Sequence, residues 1–142
     1  MQPIPSHLAE FPWYASHLAW LVSIDWDVPH DPGGAAPVQA DLTGQDLSGA
    51  NLITVYLCRA ILTSCDLSGA DLSGASLVEV DASSASFVGA TVAGANLTRA
   101  DLTGANMEGA NLSGSVFSWA KMVGVNRLDA VQDGANFEGI VT

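Results

Sequence analysis

The chain has 142 residues, of which 49% are hydrophobic, and its mean hydropathy is +0.29. This length and composition predict one domain with enough apolar side chains for a continuous interior. Fifteen acidic residues against four basic ones give a formal net charge of −11, which disfavours direct nucleic-acid binding. Because the longest apolar run, Leu18 to Val22, is short and follows no basic segment, we expect no membrane span, no secretory signal and a cytoplasmic location.

Residues 1–39 contain no repeat and are predicted to form an N-terminal helix followed by a linker. Pro12 suits the first turn of a helix, and the large residues that follow recur at helical spacing: Trp13, His17, Trp20 and Ile24. The segment 31–34, Asp-Pro-Gly-Gly, is typical of a turn. We expect the helix to cover one open end of the structure that follows, and a partner-binding helix is the alternative.

The same segment carries four carboxylate or imidazole groups within seven residues: Asp25, Asp27, His30 and Asp31. Such ligands could hold a metal ion. Acidic loops beside helix ends are common for other reasons, however, so we expect no metal site and no cofactor.

From residue 40 to residue 124, a five-residue unit recurs seventeen times without an insertion. Its plainest copy is 100–104, Ala-Asp-Leu-Thr-Gly, and the middle residue, here called the centre, is apolar in every copy. Ala usually stands two residues before the centre, Asp or Asn one residue before it, and Gly two residues after it. The centres are Leu42, Leu47, Leu52, Leu57, Leu62, Leu67, Leu72, Leu77, Ala82, Phe87, Val92, Leu97, Leu102, Met107, Leu112, Phe117 and Met122.

A period of five fits neither a helix nor a straight strand. In an α-helix each step of five residues would rotate the centre by about 140° beyond a full turn, and the frequent glycines would weaken the helix. In a strand, where side chains alternate, an odd period would send successive centres to opposite faces. The chain is therefore expected to turn once per repeat, with the centre and the Ala inward and the Gly at the corner.

These units match the motif A-(D/N)-L-x-x, and the chain resembles the pentapeptide-repeat family over residues 40–139. Twelve of the fourteen glycines share one phase of the repeat. The resemblance implies an all-β solenoid, a right-handed quadrilateral parallel β-helix with four repeats per coil and about five coils. The expected organisation is an α-helical cap and linker at 1–39 and a β-helix at 40–142.

Four repeats per coil would stack residues twenty apart on four faces. Face one takes the repeats that begin at Ala40, Ala60, Val80, Ala100 and Ala120, and face two those that begin at Gln45, Cys65, Ala85, Ala105 and Val125. Face three takes those that begin at Ala50, Ala70, Ala90, Ala110 and Ala130, and face four those that begin at Val55, Ala75, Ala95, Ser115 and Ala135.

Polar residues occupy the centre at Arg127 and Gln132, so we expect the register to loosen across 125–134. Leu128 and Val131 would then anchor a local loop or short helix. Only three residues follow Gly139, so the far end is expected to be thinly covered or buried against a second copy. A homodimer through the C-terminal end is one open alternative.

Face four is predicted to be a protein-binding patch. Arg59, Glu79 and Arg99 should stack at the corner position with Trp119 next in line, and Tyr56 shares the face. Tyr, Trp and Arg concentrate binding energy in interfaces. The alternatives are an ion-pair ladder of little energetic value, or a wall covered by the N-terminal segment.

Faces one and two are acidic and offer a second interpretation. Their aspartates at the position before the centre are Asp41, Asp46, Asp66, Asp81 and Asp101. Some members of the family resemble duplex DNA, bind DNA gyrase and protect it from quinolones, so the resemblance implies an acidic DNA mimic as the alternative function. The family's gyrase-binding members are typically longer, and some carry projecting loops that this chain lacks.

An enzymatic function finds no support in the sequence. All three His lie outside the repeat, and no nucleophile, phosphate-binding or zinc-protease motif is present. Cys58 and Cys65 point in different directions and are expected to be free thiols, which suits a reducing compartment. The sequence therefore predicts a non-enzymatic scaffold that presents a rigid surface to a protein partner.

Overall fold

A computed structural model describes residues 41–142 of the chain. The predicted helix, linker and alternative metal ligands of the N-terminal segment lie outside the described residues. From 41 to 142 each five-residue unit follows one path, in which a residue bridges to the next coil, the centre turns inward and two residues form a tight turn. Throughout this range the chain forms single-residue bridges and turns, without a longer strand or a helix.

Seventeen parallel bridges connect the coils, and each joins two residues twenty positions apart. The first four are Asp41 with Ile61, Asp46 with Asp66, Asn51 with Asp71, and Tyr56 with Ser76. The bridges form four ladders, one on each predicted face, with an expected spacing of about 4.8 Å between coils. The predicted stacking of residues twenty apart on four faces is confirmed.

The interior is filled by the centres and by the small residues that precede them by two positions. All seventeen predicted centres are at most 4% exposed. The second inward position is mostly Ala, and Cys65 and Ser115 take its place in two coils, where both are buried. Burial of one Leu or Phe side chain stabilises the fold by about 1.5–3 kcal/mol, so the apolar centres explain why the coils stack.

Every unit turns at the two residues after its centre. In each of the twenty turns the centre's carbonyl accepts a hydrogen bond from the amide three residues later, as in Gln45 N to Leu42 O at 3.0 Å. The third residue of each turn has φ between 56° and 71°, as a type II turn requires. Twelve of these third residues are Gly, because an L side chain there costs about 1–2 kcal/mol.

The prediction that the register loosens across 125–134 is wrong. Asn126 and Val131 continue their ladders, and the turns after Arg127 and Gln132 close with hydrogen bonds of 3.1 Å. The two polar centres satisfy each other, since Arg127 donates to Gln132 Oε1 at 3.0 Å. The Arg127 guanidinium also lies 4.9 Å from the centroid of the Phe137 ring. This coil therefore keeps the register of the repeat with a polar pair at the centre positions, and it forms neither a loop nor a helix.

Candidate interaction surface

Four long side chains line one corner of the solenoid, at the third turn residue of successive face-four units. We call Arg59, Glu79, Arg99 and Trp119 the corner column, which continues to Gly139. Their φ values are 62°, 58°, 60° and 63°, so all four adopt the left-handed conformation that Gly adopts at most other corners. The column thus accounts for four of the eight non-glycine residues with positive φ among residues 41–142.

Ion pairs connect the first three members of the corner column. Arg59 Nε lies 3.0 Å from Glu79 Oε2, and Arg99 NH1 lies 3.9 Å from Glu79 Oε1. The side chains are 53%, 37% and 67% exposed for Arg59, Glu79 and Arg99. At such exposure each pair contributes at most about 1 kcal/mol, which does not exceed the cost of the left-handed backbone at the three positions.

Trp119 extends the column toward the last coil and is 58% exposed. Its indole packs over the backbone of Gly139, where an added Cβ would lie 2.4 Å from the ring. Glycine at 139 therefore avoids the cost of a side chain at positive φ and leaves room for the indole in this position. One side of the ring rests on the protein, and the residue as a whole remains an exposed aromatic platform.

Tyr56, the fifth predicted face-four residue, lies apart from the corner column. It occupies the bridging position of its unit, pairs with Ser76 through the backbone and is half-buried. The neighbouring Cys58 is buried, with its Sγ 3.0 Å from Ser76 Oγ. The structure therefore brings Arg59, Glu79, Arg99 and Trp119 together and places Tyr56 on the same face in a different column.

The predicted acidic residues form two short stacks. Asp46 bridges directly to Asp66 on face two, and Asp81 bridges to Asp101 on face one. Asp41 stands apart from this second stack, because Ile61 lies between it and Asp81. The face-one ladder continues from Asp101 to Lys121, so its acidic run ends in a basic residue.

Each of these carboxylates binds the turn that follows it. Asp101 Oδ1, for example, accepts hydrogen bonds from Thr103 N at 3.0 Å and Thr103 Oγ1 at 2.6 Å. These bonds, chiefly the one from the hydroxyl, lower the pKa of Asp101, and Lys121 contributes in the same direction. The Thr43 hydroxyl and amide lower the pKa of Asp41 in the same way.

Asparagine makes the same bonds without a charge. Asn96 Oδ1 accepts from Thr98 N at 3.0 Å and from Thr98 Oγ1 at 2.6 Å, distances that match those around Asp101. The fold therefore needs an oxygen at this position and does not need a negative charge. The turns of faces one and two therefore do not depend on the negative charge of their aspartates. Asp-to-Asn substitution removes the charge, keeps the turn's hydrogen bonds and so tests the role of charge alone.

Two features of the surface were missed by the sequence reasoning. The polar pair of Arg127 and Gln132 was interpreted as a break in the repeat, although its five-residue phase was intact. The left-handed backbone of the corner column was also missed. The signal that could have shown it is the presence of four non-glycine residues at a position of the repeat where Gly is usual. Within residues 41–142 there is no cluster of three metal-ligating side chains, and no helix there has the length and apolarity to cross a membrane.

The fold defines a class of protein: a four-sided repeat solenoid in which side chains twenty residues apart stack in outward columns. The chain belongs to the pentapeptide-repeat family, since the model described as pentapeptide repeats matches eight copies over residues 38–74, 65–104 and 93–126. Proteins of this family form right-handed quadrilateral β-helices, and they are generally structural or binding proteins. A search of curated proteins gave no match.

Three solved structures illustrate the likeness. The pentapeptide-repeat protein Rfr23 from the cyanobacterium Cyanothece 51142 is 30% identical, with a TM-score of 0.59 over 80% of this chain and 70% of that one. HetL from Nostoc sp. strain PCC 7120, involved in the regulation of heterocyst differentiation, is 26% identical, with a TM-score of 0.55 over 73% of this chain and 60% of that one. QnrB1, a plasmid-mediated fluoroquinolone resistance protein, is 26% identical over 70% of this chain and 59% of that one, with a TM-score of 0.40 that is too low to bear on function.

Proposed function

We propose that this protein is a non-enzymatic scaffold that binds a protein partner through the corner column on face four. The observation that carries the proposal is the replacement of Gly by Arg59, Glu79, Arg99 and Trp119 at four successive left-handed corners. Residues held in a strained backbone conformation cluster at functional sites.

The stability of the fold does not explain why these four residues replace Gly. Glycine would serve each turn without strain, and the exposed ion pairs return little stability. The other four non-glycine corners carry shorter side chains and are spread over three faces: Thr54, Ser64, Ser84 and Asp129. Long side chains rich in binding energy are therefore concentrated in one column, as expected for a recognition surface.

The test is a pair of matched glycine variants. The column variant combines Arg59→Gly, Glu79→Gly, Arg99→Gly and Trp119→Gly, and the control variant changes Thr54, Ser64, Ser84 and Asp129 to Gly. Both keep the turns, because they introduce the residue that the turn prefers. We expect affinity capture followed by quantitative mass spectrometry to recover a partner with the wild type and the control but not with the column variant. Equal recovery with all three proteins would overturn the proposal.

The second candidate is an acidic DNA mimic that binds DNA gyrase and protects it from quinolones. The specific observation in its favour is the direct stacking of Asp46 on Asp66 and of Asp81 on Asp101. Its weakness is charge density, because residues 41–142 carry eleven acids and four bases, or −7. Duplex DNA carries roughly 14 charges over the about 24 Å of five coils. We therefore rank this function below the protein-binding scaffold.

A supercoiling assay with and without a quinolone tests the DNA-mimic function. The variant changes Asp41, Asp46, Asp66, Asp81 and Asp101 to Asn, which keeps an oxygen for each turn. A control variant changes Asp71 and Asp133 to Asn and removes charge from face three. Gyrase inhibition or quinolone protection that is lost in the first variant and kept in the second would establish the mechanism, and no effect of the wild type at micromolar concentration would exclude it.

The remaining proposals concern organisation and location. We propose about five coils over 40–142, a helical cap and linker at 1–39, and a cytoplasmic location. The location is supported by Cys58 and Cys65, which are not joined in a disulfide. A homodimer through the C-terminal end is also retained as a proposal from the sequence. Cell fractionation with an antibody against the chain would test the location directly.

A further inference from the structure

The order of charges along the corner column is complementary to the same order reversed. From Arg59 to Trp119 the order is positive, negative, positive, aromatic. Reversed, it becomes aromatic, positive, negative, positive. When the two orders are placed side by side, a positive group meets an aromatic ring at each end and opposite charges meet at both middle positions.

We propose that the partner of the corner column is a second copy of this chain, docked antiparallel about a two-fold axis between Glu79 and Arg99. This inference rests on the proposed function and specifies the partner of the same surface. Arg59 of one copy would lie on Trp119 of the other, and Glu79 of one would pair with Arg99 of the other. The two-fold axis repeats both contacts, as an isologous interface requires.

The spacing of the fold keeps all four contacts in register. Successive column members are separated by one coil, about 4.8 Å, and this spacing is the same in both copies. An extended peptide would place same-side residues about 6.6 Å apart and would lose register within two steps. A parallel arrangement in the same register would put Arg on Arg and Glu on Glu. A parallel arrangement shifted by one coil would pair opposite charges, but its contact is not the same on both copies and does not close into a dimer, so charge and two-fold closure together select the antiparallel orientation.

The side chains are available for these contacts. Arg99 is 67% exposed, and its pair with Glu79 is long at 3.9 Å, which leaves the guanidinium free to turn toward a partner carboxylate. Trp119 rests on Gly139 and presents an exposed ring, which suits stacking with a guanidinium. The acids nearest the column along the chain, Asp81 and Asp101, bind the turns that follow them and do not occupy the column.

Charge reversal provides a test that loss of folding cannot imitate. Glu79→Arg alone would place like charges opposite each other at both middle positions, and so would Arg99→Glu alone. A mixture of these two variants would restore opposite charges at both positions of a heterodimer. The double variant Glu79→Arg with Arg99→Glu would restore them in a homodimer. The control is Ser84→Arg, which places an arginine at a corner of face one, away from the corner column.

The measurement is sedimentation velocity of the full chain over a range of concentrations in about 0.15 M salt, where long-range repulsion between the acidic chains is screened. The wild type and the Ser84 control should shift toward twice the 14.6 kDa chain mass as concentration rises. Each single variant should associate at least about tenfold more weakly than the wild type. The mixture and the double variant should regain the association of the wild type.

Three results would overturn the inference. One is a wild type that stays monomeric throughout, and another is association that neither single variant weakens. Single variants that weaken association without recovery in the mixture would also contradict the antiparallel pairing. In any of these cases the glycine-variant capture still decides the proposed function, because a different protein lost from the column variant would leave the recognition surface standing.

Discussion

The role of the aspartates before each centre can be measured at Asp81. Its Oδ1 accepts hydrogen bonds from Ser83 N at 3.1 Å and Ser83 Oγ at 2.7 Å. Asp81→Ala removes both, and at about 0.5–1.5 kcal/mol for each bond, with both partly exposed, we expect a loss of about 1–2 kcal/mol. Asp81→Asn keeps an acceptor oxygen and removes the repulsion from Asp101, so its stability should stay within about 0.5 kcal/mol of the wild type.

Urea unfolding followed by circular dichroism distinguishes these outcomes. With a denaturant slope of about 2 kcal/mol per molar, Asp81→Ala should lower the midpoint by about 0.5–1 M. Ser83→Ala is the control that removes only the hydroxyl bond, and it should fall between Asp81→Ala and the wild type. If Asp81→Asn destabilises as much as Asp81→Ala, charge is needed by the turn and the reasoning is refuted.

Three further predictions follow from the interior, the polar pair and the titrating carboxylates. Leu97→Ala should cost about 3–5 kcal/mol in urea unfolding, because its side chain is fully buried and little can relax into the cavity. Arg127→Ala should cost about 1–2 kcal/mol through the lost contact with Phe137, and hydrogen exchange should accelerate in the last coil before the middle ones. The lowered pKa of Asp101 means that the unfolded chain takes up the proton first as pH falls. Stability from this carboxylate is therefore present above about pH 4 and is lost as pH falls through the folded pKa, and in Thr103→Val a carboxyl NMR titration should give a higher pKa for Asp101.

Much of the fold was predictable because one physical argument applies to every unit. A period of five excludes helix and strand, and the apolar centres then identify the interior, as the burial of all seventeen confirms. The same argument failed at Arg127, because a polar centre was expected to disturb the repeat and its contacts in the folded coil were not considered. The guanidinium finds Gln132 and the Phe137 ring only when the coil has closed. Such pairings between units cannot be read from the composition of a single unit.

The surface was predictable in outline and less so in detail. Spacing by twenty placed Arg59, Glu79 and Arg99 in one column, and the ion pairs follow from that placement. The contact of Trp119 with Gly139 depends on the direction that the indole takes, which spacing does not determine. For the aspartates, the sequence shows a negative charge. The structure adds that one carboxylate oxygen accepts hydrogen bonds from the turn that follows.

The four-sided coil makes the length of any insertion decisive for the surface. An insertion of twenty residues would add one step to every ladder and leave each downstream side chain on its original face. An insertion of five residues would preserve the interior equally well but would rotate everything after it by one face. Placed between Glu79 and Arg99, it would divide the corner column while the core remained filled. Selection for a continuous column would therefore accept length changes in whole coils and reject those in single units, although both leave the interior intact.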